Sequence, residues 1–320
     1  MGESVKYYLA PMEGLTTYIF RKNWHQFYGG MDKYFTPFIC NEHMSSRERN
    51  DILPEHNLGL CVIPQILTNK ADEFLSLSKE MEELGYNEIN LNLGCPSGTV
   101  TARKRGAGFL SVPDELEIFL DKIFEKCTVD ISIKTRIGVE SIDEWENILQ
   151  IYKKFPVKEL IIHPRLQKEK YMGNTHPEAF IQALDIMECP LCYNGDIVSP
   201  ESMQTLMDKI PQVDRVMIGR GILKDPNLLN KIKKLESCDK EVSAGNSVDT
   251  LISFHDAILT DYSSIMSGDT NILYKMKDLW AFLGNSFENP EKYIKKIRKS
   301  KKLQDYNIAV RSLVRNCRLI

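Results

Sequence analysis

Long hydrophobic runs are missing from this 320-residue chain. No stretch of about 18 apolar residues occurs, so no membrane-spanning helix is expected. No secretory leader is expected either, because Met1-Gly2-Glu3-Ser4-Val5-Lys6 runs directly into a strand-like segment. Net charge is scarce. The 41 Lys and Arg nearly balance 44 Asp and Glu and leave −3, which as an average argues against a polyanionic partner. The 8 cysteines are scattered, which excludes a disulfide scaffold and points to reduced thiols in a cytoplasmic protein. Cys189-Pro190-Leu191-Cys192 lacks the second pair or nearby histidines of a zinc site. It enters a strand, whereas a redox pair opens a helix, so it reads as core and no metal is expected. With 42% hydrophobic and 27% charged residues, the chain is neither disordered nor collagen-like. Its length suffices for one large core, or one core and a smaller appended domain.

The near-zero charge hides a division. Residues 270–320 hold 12 Lys and Arg against 4 Asp and Glu, a local +8, and the preceding 269 residues carry −11. The densest run is Lys292-Tyr293-Ile294-Lys295-Lys296-Ile297-Arg298-Lys299-Ser300-Lys301-Lys302. A basic stripe with tyrosine nearby suits a phosphate backbone, and a solvated helix face is the competing explanation.

Short β-branched runs recur at 7–10, 33–39, 59–65, 88–91, 130–135, 159–163, 191–194 and 215–218. Helical patterns follow at 69–84, 113–126, 141–155, 177–187, 199–210 and 225–235; the helix after the second strand is the least marked. Strands this apolar are buried on both faces, as in a parallel sheet covered by helices. Eight βα units predict a (β/α)8 TIM barrel over 1–236. The runner-up, an open doubly wound sheet, wants a Gly-rich first turn that Ala10-Pro11-Met12-Glu13-Gly14 does not supply. A polar linker is expected at 237–247, then a small helical bundle domain over 248–320, with helices at 248–267, 270–283, 290–300 and 303–316.

Barrel chemistry collects where strands end, and polar residues interrupt the apolar runs there. The ends read Pro11-Met12-Glu13-Gly14, Pro64-Gln65, Asn90-Leu91-Asn92-Leu93-Gly94-Cys95-Pro96, Lys134-Thr135-Arg136, His163-Pro164-Arg165, Asn194-Gly195-Asp196 and Gly219-Arg220-Gly221. With Gly106-Ala107-Gly108, this ordered set resembles the tRNA-dihydrouridine synthase family of flavoenzymes, across the whole barrel and more weakly in the tail. The resemblance implies a barrel that binds FMN tightly, followed by a helical RNA-binding domain. It implies reduction of the uracil C5–C6 double bond in tRNA with NADPH as electron donor, hydride going from reduced flavin to C6 and a proton from an acid to C5.

Given FMN, each residue type has a physical use. Lys134 supplies a fixed cation for the ring's N1–O2 edge, unless it merely snorkels from the barrel end. The Gln65 amide suits the O4 and N3–H edge, against an ordinary turn residue. Pro11, Met12, Glu13 and Gly14 bring main chain to the ring. Asn194-Gly195-Asp196 and Gly219-Arg220 fall where barrels hold phosphate, and Arg220 can bind it bidentately. Cys95 is the expected acid, since a thiol near its unperturbed pKa of about 8.5 is mostly protonated at pH 7; the alternative is a core cysteine. Asn92, two residues back on the same face, is expected at the uracil or the ring. His163 is expected at the flavin, against a satisfied barrel-end histidine. Expected RNA contacts are Arg103, Lys104 and Arg105 in a long loop taken as a mobile lid, Arg136 and Arg165 at strand ends, which could instead serve the cofactor, and Lys275, Lys277, Lys295, Lys296, Arg298 and Lys299 in the tail.

Other readings stay open. One is an FMN barrel oxidoreductase for a small molecule of dihydroorotate or enoate type, for which the +8 tail has no use. Others are a ribosomal RNA substrate, an RNA-binding module without chemistry, and a flavin-free phosphate-binding barrel. No protein partner is implied, and a monomer is expected.

Overall fold

The computed structural model describes residues 4–40, 43–237 and 247–320. Eight strands form where the β-branched runs fall: β1 (Lys6–Leu9), β2 (Lys33–Ile39), β3 (Val62–Ile66), β4 (Glu88–Leu93), β5 (Asp130–Arg136), β6 (Leu160–His163), β7 (Leu191–Tyr193) and β8 (Arg215–Ile218). Neighbours pair in parallel, and β8 pairs with β1, which closes the barrel. Every residue of β3 and of β6 is buried, as expected where helices cover the outside and side chains fill the inside. The chain is a (β/α)8 TIM barrel with further helices at its C-terminal end.

Two strand boundaries differ from the sequence pattern. The third strand begins at Val62, not 59, because Gly59 takes a φ of +76° and belongs to a turn. The fourth runs on to Leu93, so Asn90 and Asn92 both lie inside regular strand. A helix follows each strand. The least marked, Ser46–Ile52 after β2, is announced by a capping box in which Ser45 and Glu48 satisfy each other's backbone N–H. Helices Pro113–Lys126, Pro177–Ile186 and Pro200–Lys209 each open on proline, whose missing N–H costs nothing in a first turn.

Alternation along the strands divides the interior into layers. Tyr8, Ala10, Phe35, Ile63, Ile161, Cys192 and Met217 form one buried cluster. Cys192 of the CxxC is therefore interior packing, and both Cys189 and Cys192 are unpaired thiols. At the N-terminal end a buried Glu159 accepts from Tyr8 Oη at 2.7 Å and Lys33 Nζ at 3.0 Å, and pairs with Arg215 at 3.1 Å. Burial first, then this carboxylate, pushes the Tyr8 phenol far above its ordinary value.

The chain divides into two compact units. One contains the residues up to Pro11, Met31–Asp196 and Thr205–Ile218, and so all eight strands. The other contains Met12–Gly30, Ile197–Gln204 and Gly219–Ile320. The expected linker, 237–247, lies outside the described residues apart from its two ends. In the second unit, helices Val248–Ile265, Asp269–Leu283, Glu291–Lys299 and Leu303–Asn316 follow the expected pattern closely. Ser247 caps the first by accepting from Thr250 N at 3.0 Å. Phe254 meets Phe20, Phe27 and Tyr28 edge to face. A buried His255 shares the Tyr306 hydroxyl with Trp280 Nε1, which donates to it at 2.7 Å.

Candidate active site

Strand β4 builds the centre of the site. Side chains of alternate residues share a face, so Asn90 and Asn92 both point inward, towards Gln65 on β3 and Ser132 and Lys134 on β5. They form one amide chain. Asn90 Nδ2 donates to Ser132 Oγ at 3.0 Å, Gln65 Nε2 donates to Asn90 Oδ1 at 2.7 Å, and Asn92 Nδ2 donates to Gln65 Oε1 at 2.7 Å. Asn92 Oδ1 then accepts from the backbone N–H of Gly94 at 3.0 Å and of Cys95 at 2.9 Å. A short side chain bonding to the following backbone is how Asn fixes a turn.

The Cys95 turn is gripped from two further sides. Arg136 Nε donates to Gly94 O at 2.9 Å, and Ala107 N donates to Cys95 O at 3.0 Å. The second contact explains Gly106-Ala107-Gly108. A Cβ on Gly106 would lie 2.8 Å from Cys95 O, and one on Gly108 would lie 2.7 Å from Thr101 O. Cys95 is thus a half-buried thiol on a turn whose backbone is held on both sides of the residue.

Lys134 lies beside Asn92 in the β4–β5 register and is half-buried. It makes no ion pair or side-chain hydrogen bond with any described residue. Burial, then the Arg136 charge, pushes its ammonium down to about 8, against upward pulls from Cys192 and Cys95. The interaction is mutual, so a negative Cys95 and a positive Lys134 stabilise each other.

Several expected ligands have other work. Gln65 is fully buried, with its amide engaged on both sides by Asn90 and Asn92, so it orders the site from below. Arg136, 1% exposed, donates to Gly94 O, Leu166 O and Lys170 O, and its guanidinium lies 5.5 Å from the Tyr171 ring. Arg165, also 1% exposed, grips both oxygens of Asp196 at 2.9 and 2.5 Å and donates to Gly173 O at 2.6 Å. These arginines staple the turn and the loop after β6, and Asp196, expected near a cofactor phosphate, is the carboxylate that Arg165 holds.

Arg105 is a third staple, bound to Cys40 O, Asn69 and Glu73. The loop after Cys95, expected as a mobile lid, contains Gly98–Thr101 and Gly106–Ser111 as short helices, and residues 106–110 are buried. Arg103 is exposed, and Lys104 pairs with Glu115 in solvent at 2.9 Å. His163 is buried, its ring 6.2 Å from that of Tyr171. Asn194 donates to Met217 O at 2.8 Å, and any side chain on Gly195 would collide with the Tyr193 ring.

In the second unit, the turn Met12–Thr16 is closed by Met12 N donating to Thr16 Oγ1 at 2.8 Å, and Gly14 needs its freedom at φ +75°. Lys275 Nζ donates to Gly14 O at 3.3 Å. Glu13 is exposed, and Gly219 opens the short helix Arg220–Lys224. Lys277 is bound to Ser300 O at 2.5 Å. Lys295, Lys296, Arg298 and Lys299 all stand in solvent.

Sequence reasoning missed three contributors. Asn90 was visible as the partner of Asn92 at a spacing of two. Tyr171 gave no local signal, since its place beside Arg136 and His163 arises from the fold. Arg21, buried in helix Tyr18–Phe27, supports the β1 turn through Thr16 O at 2.8 Å.

Residues 8–316 match the family described as dihydrouridine synthase. The chain is 30% identical over 244 residues to a probable tRNA-dihydrouridine synthase 2 of Bacillus subtilis, covering 73% of this chain and 74% of that one. It is 27% identical over 240 residues to tRNA-dihydrouridine synthase B of Pasteurella multocida, covering 73% and 71%. Among solved structures, histamine dehydrogenase from a Rhizobium species superposes with a TM-score of 0.54 at 13% identity, over 72% of this chain and 45% of that one. A variant of NCR from Zymomonas mobilis gives 0.50 at 12%, over 74% and 89%. At such identities these structures share the fold alone.

Proposed function

Because the chain belongs to the dihydrouridine synthase family, we propose that it reduces uridines of tRNA to dihydrouridine, with FMN as bound cofactor and NADPH as reductant. One observation carries the proposal: a thiol on a turn held by several hydrogen bonds, beside a half-buried lysine that has no counter-ion among the described residues. A lysine in that setting is matched to an anionic or electron-rich ligand. FMN fits the requirement, with a ring edge that is negative when reduced. Lys134 and His163 would hold the ring, above the platform of Gln65 and Asn92. Gly195, where no side chain fits, would let main chain approach the cofactor. Met12–Gly14, Gly219 and Arg220 are further candidates on the strength of the family resemblance.

When bound and reduced, FMN supplies the hydride that goes to uracil C6. The chain's own residues supply the rest. Cys95 gives the proton of its thiol to C5, and the resulting thiolate is stabilised by the charges of Lys134 and Arg136. Asn92, Arg136 and Ala107 keep the turn in place, so that proton transfer begins from a fixed distance. The exposed cations of helix Glu291–Lys299 bind RNA phosphates. Two measurements test the proposal. RNA from cells with and without this gene is analysed by mass spectrometry, and the purified protein is assayed for bound flavin. Dihydrouridine missing only from the tRNA of the deletion strain is expected. An unchanged dihydrouridine content, or a colourless protein that cannot be reconstituted, overturns it.

A further inference from the structure

The loop after β6, 164–176, is closed at its neck and gripped at its tip. His176 N donates to Pro164 O at 2.8 Å, so the two ends of the loop meet. Arg165 Nη2 donates to Gly173 O at 2.6 Å, and Arg136 Nη2 donates to Lys170 O at 2.7 Å. Between those carbonyls lies Tyr171, its ring close to both the Arg136 guanidinium and the His163 ring. Arg136 also donates to Gly94 O beside Cys95, so one guanidinium ties the loop tip to the turn of the thiol. The His176 imidazole, 23% exposed, is set at the neck. Its Nε2 lies 2.8 Å from Glu169 Oε1, and its Nδ1 lies 3.3 Å from Glu178 Oε1.

A neutral imidazole has one N–H and one lone pair, so it donates to one carboxylate and turns its lone pair on the other. Only the imidazolium satisfies both. Helix Pro177–Ile186 begins at the next residue, and a helix N-terminus disfavours a cation; the two carboxylates offset this. The other charged and titratable groups around the neck are Arg165, which Asp196 holds, and Tyr193, whose hydroxyl donates to Thr175 Oγ1 at 3.2 Å. Burial pushes the Glu169 carboxyl up, but the bonds from His176 and from the Leu166 N–H outweigh it and hold the group below its ordinary value. Glu169 is therefore a carboxylate at neutral pH. We propose that His176 is a positioning residue for the reaction: as imidazolium it closes the loop neck between Glu169 and Glu178, which sets Lys170 O for Arg136 and so the Cys95 turn, and as neutral imidazole it releases one of the two. The proposal rests on the reductase function and adds a proton-controlled loop to it.

The test uses the full-length flavin-loaded protein, its flavin reduced beforehand, and an unmodified tRNA transcript. Reoxidation of the flavin in a single turnover is followed between about pH 6 and about pH 8, where histidine changes charge, and the wild-type rate is expected to fall about fivefold. His176→Gln keeps a donor and does not titrate. Its profile is expected to lack this fall, while reduction of its flavin by NADPH keeps the wild-type pH dependence. Any fall set by the Cys95 thiol remains in both proteins. If wild type transfers nothing to the transcript, the reductase function itself fails. If wild type turns over and the two profiles run parallel, His176 is merely structural and only the positioning proposal is overturned. A reduction step altered in the same way as reoxidation also overturns it. Should the variant not fold, hydrogen exchange of segment 166–173 in wild type is compared at about pH 6 and about pH 8, corrected for the intrinsic rate. Greater protection at the lower pH supports the closed neck, and equal protection overturns it.

Discussion

Two sets of cations in this molecule differ in what surrounds them. Arg136, Arg165 and Arg105 in the barrel unit are largely withdrawn from solvent, and their donors end on carbonyls and carboxylates. Lys295, Lys296, Arg298 and Lys299 in the helical unit are exposed. A guanidinium withdrawn from solvent and donating to three carbonyls is poorly placed to meet a phosphate, whereas a solvated ammonium gives up only water. Lys134 lies between these cases, half-buried yet without an acceptor among the described residues. Charge near a catalytic mouth is therefore a poor guide to ligand contact until its hydrogen bonds are counted.

The contrast can be attacked where the effects are largest. Cys95→Ala should cut dihydrouridine formation by roughly 10²–10⁴-fold while FMN stays bound, read by mass spectrometry of product and by absorbance of the flavin. Product at wild-type levels would remove Cys95 as the acid. Arg136→Met should cost about 3 kcal/mol in denaturant unfolding, because carbonyls of three segments lose their donor together. A variant as stable as wild type, but weaker on RNA, would return Arg136 to the set of RNA contacts.

Replacing Lys295, Lys296, Arg298 and Lys299 together by Gln should weaken tRNA binding about a hundredfold near 100 mM salt and flatten the salt dependence. An unchanged slope would show that this run is only a solvated face. Lys134→Met should lower FMN affinity about tenfold and remove a pH dependence. In the wild type the Lys134 ammonium loses its proton near pH 8, so FMN affinity should fall as pH rises beyond that point. Stability of the flavin-free protein should move the other way. The unfolded lysine keeps its proton up to 10.5, so this group alone raises stability between about 8 and 10.5. The smallest effect is expected at Lys104→Ala, which removes a solvated pair with Glu115 and should change stability by less than about 0.5 kcal/mol.

Much of the site was legible because barrel strands are short and strongly patterned. A polar residue ending an apolar run, such as Lys134 after Ile131-Ser132-Ile133, marks a strand end facing the mouth. Asn92 and Cys95 were legible for the same reason, and Gly106 and Gly108 as glycines in a motif. What the sequence did not show was the partners inside the protein. The Gln65 amide donates to Asn90, 25 residues away. Arg165 is held by Asp196, 31 residues away. A donor and its acceptor chosen across strands leave no local trace.

Alternation with a period of two, interrupted by helical segments, determined the barrel from the residues themselves, because side chains on successive strand positions must face opposite sides. The charge division between the first 269 residues and the last 51 was equally a property of the sequence. Only the tertiary structure decided which charges remain free. Closure of the barrel brings Asp196 to Arg165 and the carbonyls of Gly94, Leu166 and Lys170 to Arg136. A buried guanidinium without such acceptors is too costly to keep, so the fold consumed these cations, left Lys134 without a hydrogen-bond partner among the described residues, and kept the cations of helix Glu291–Lys299 in solvent.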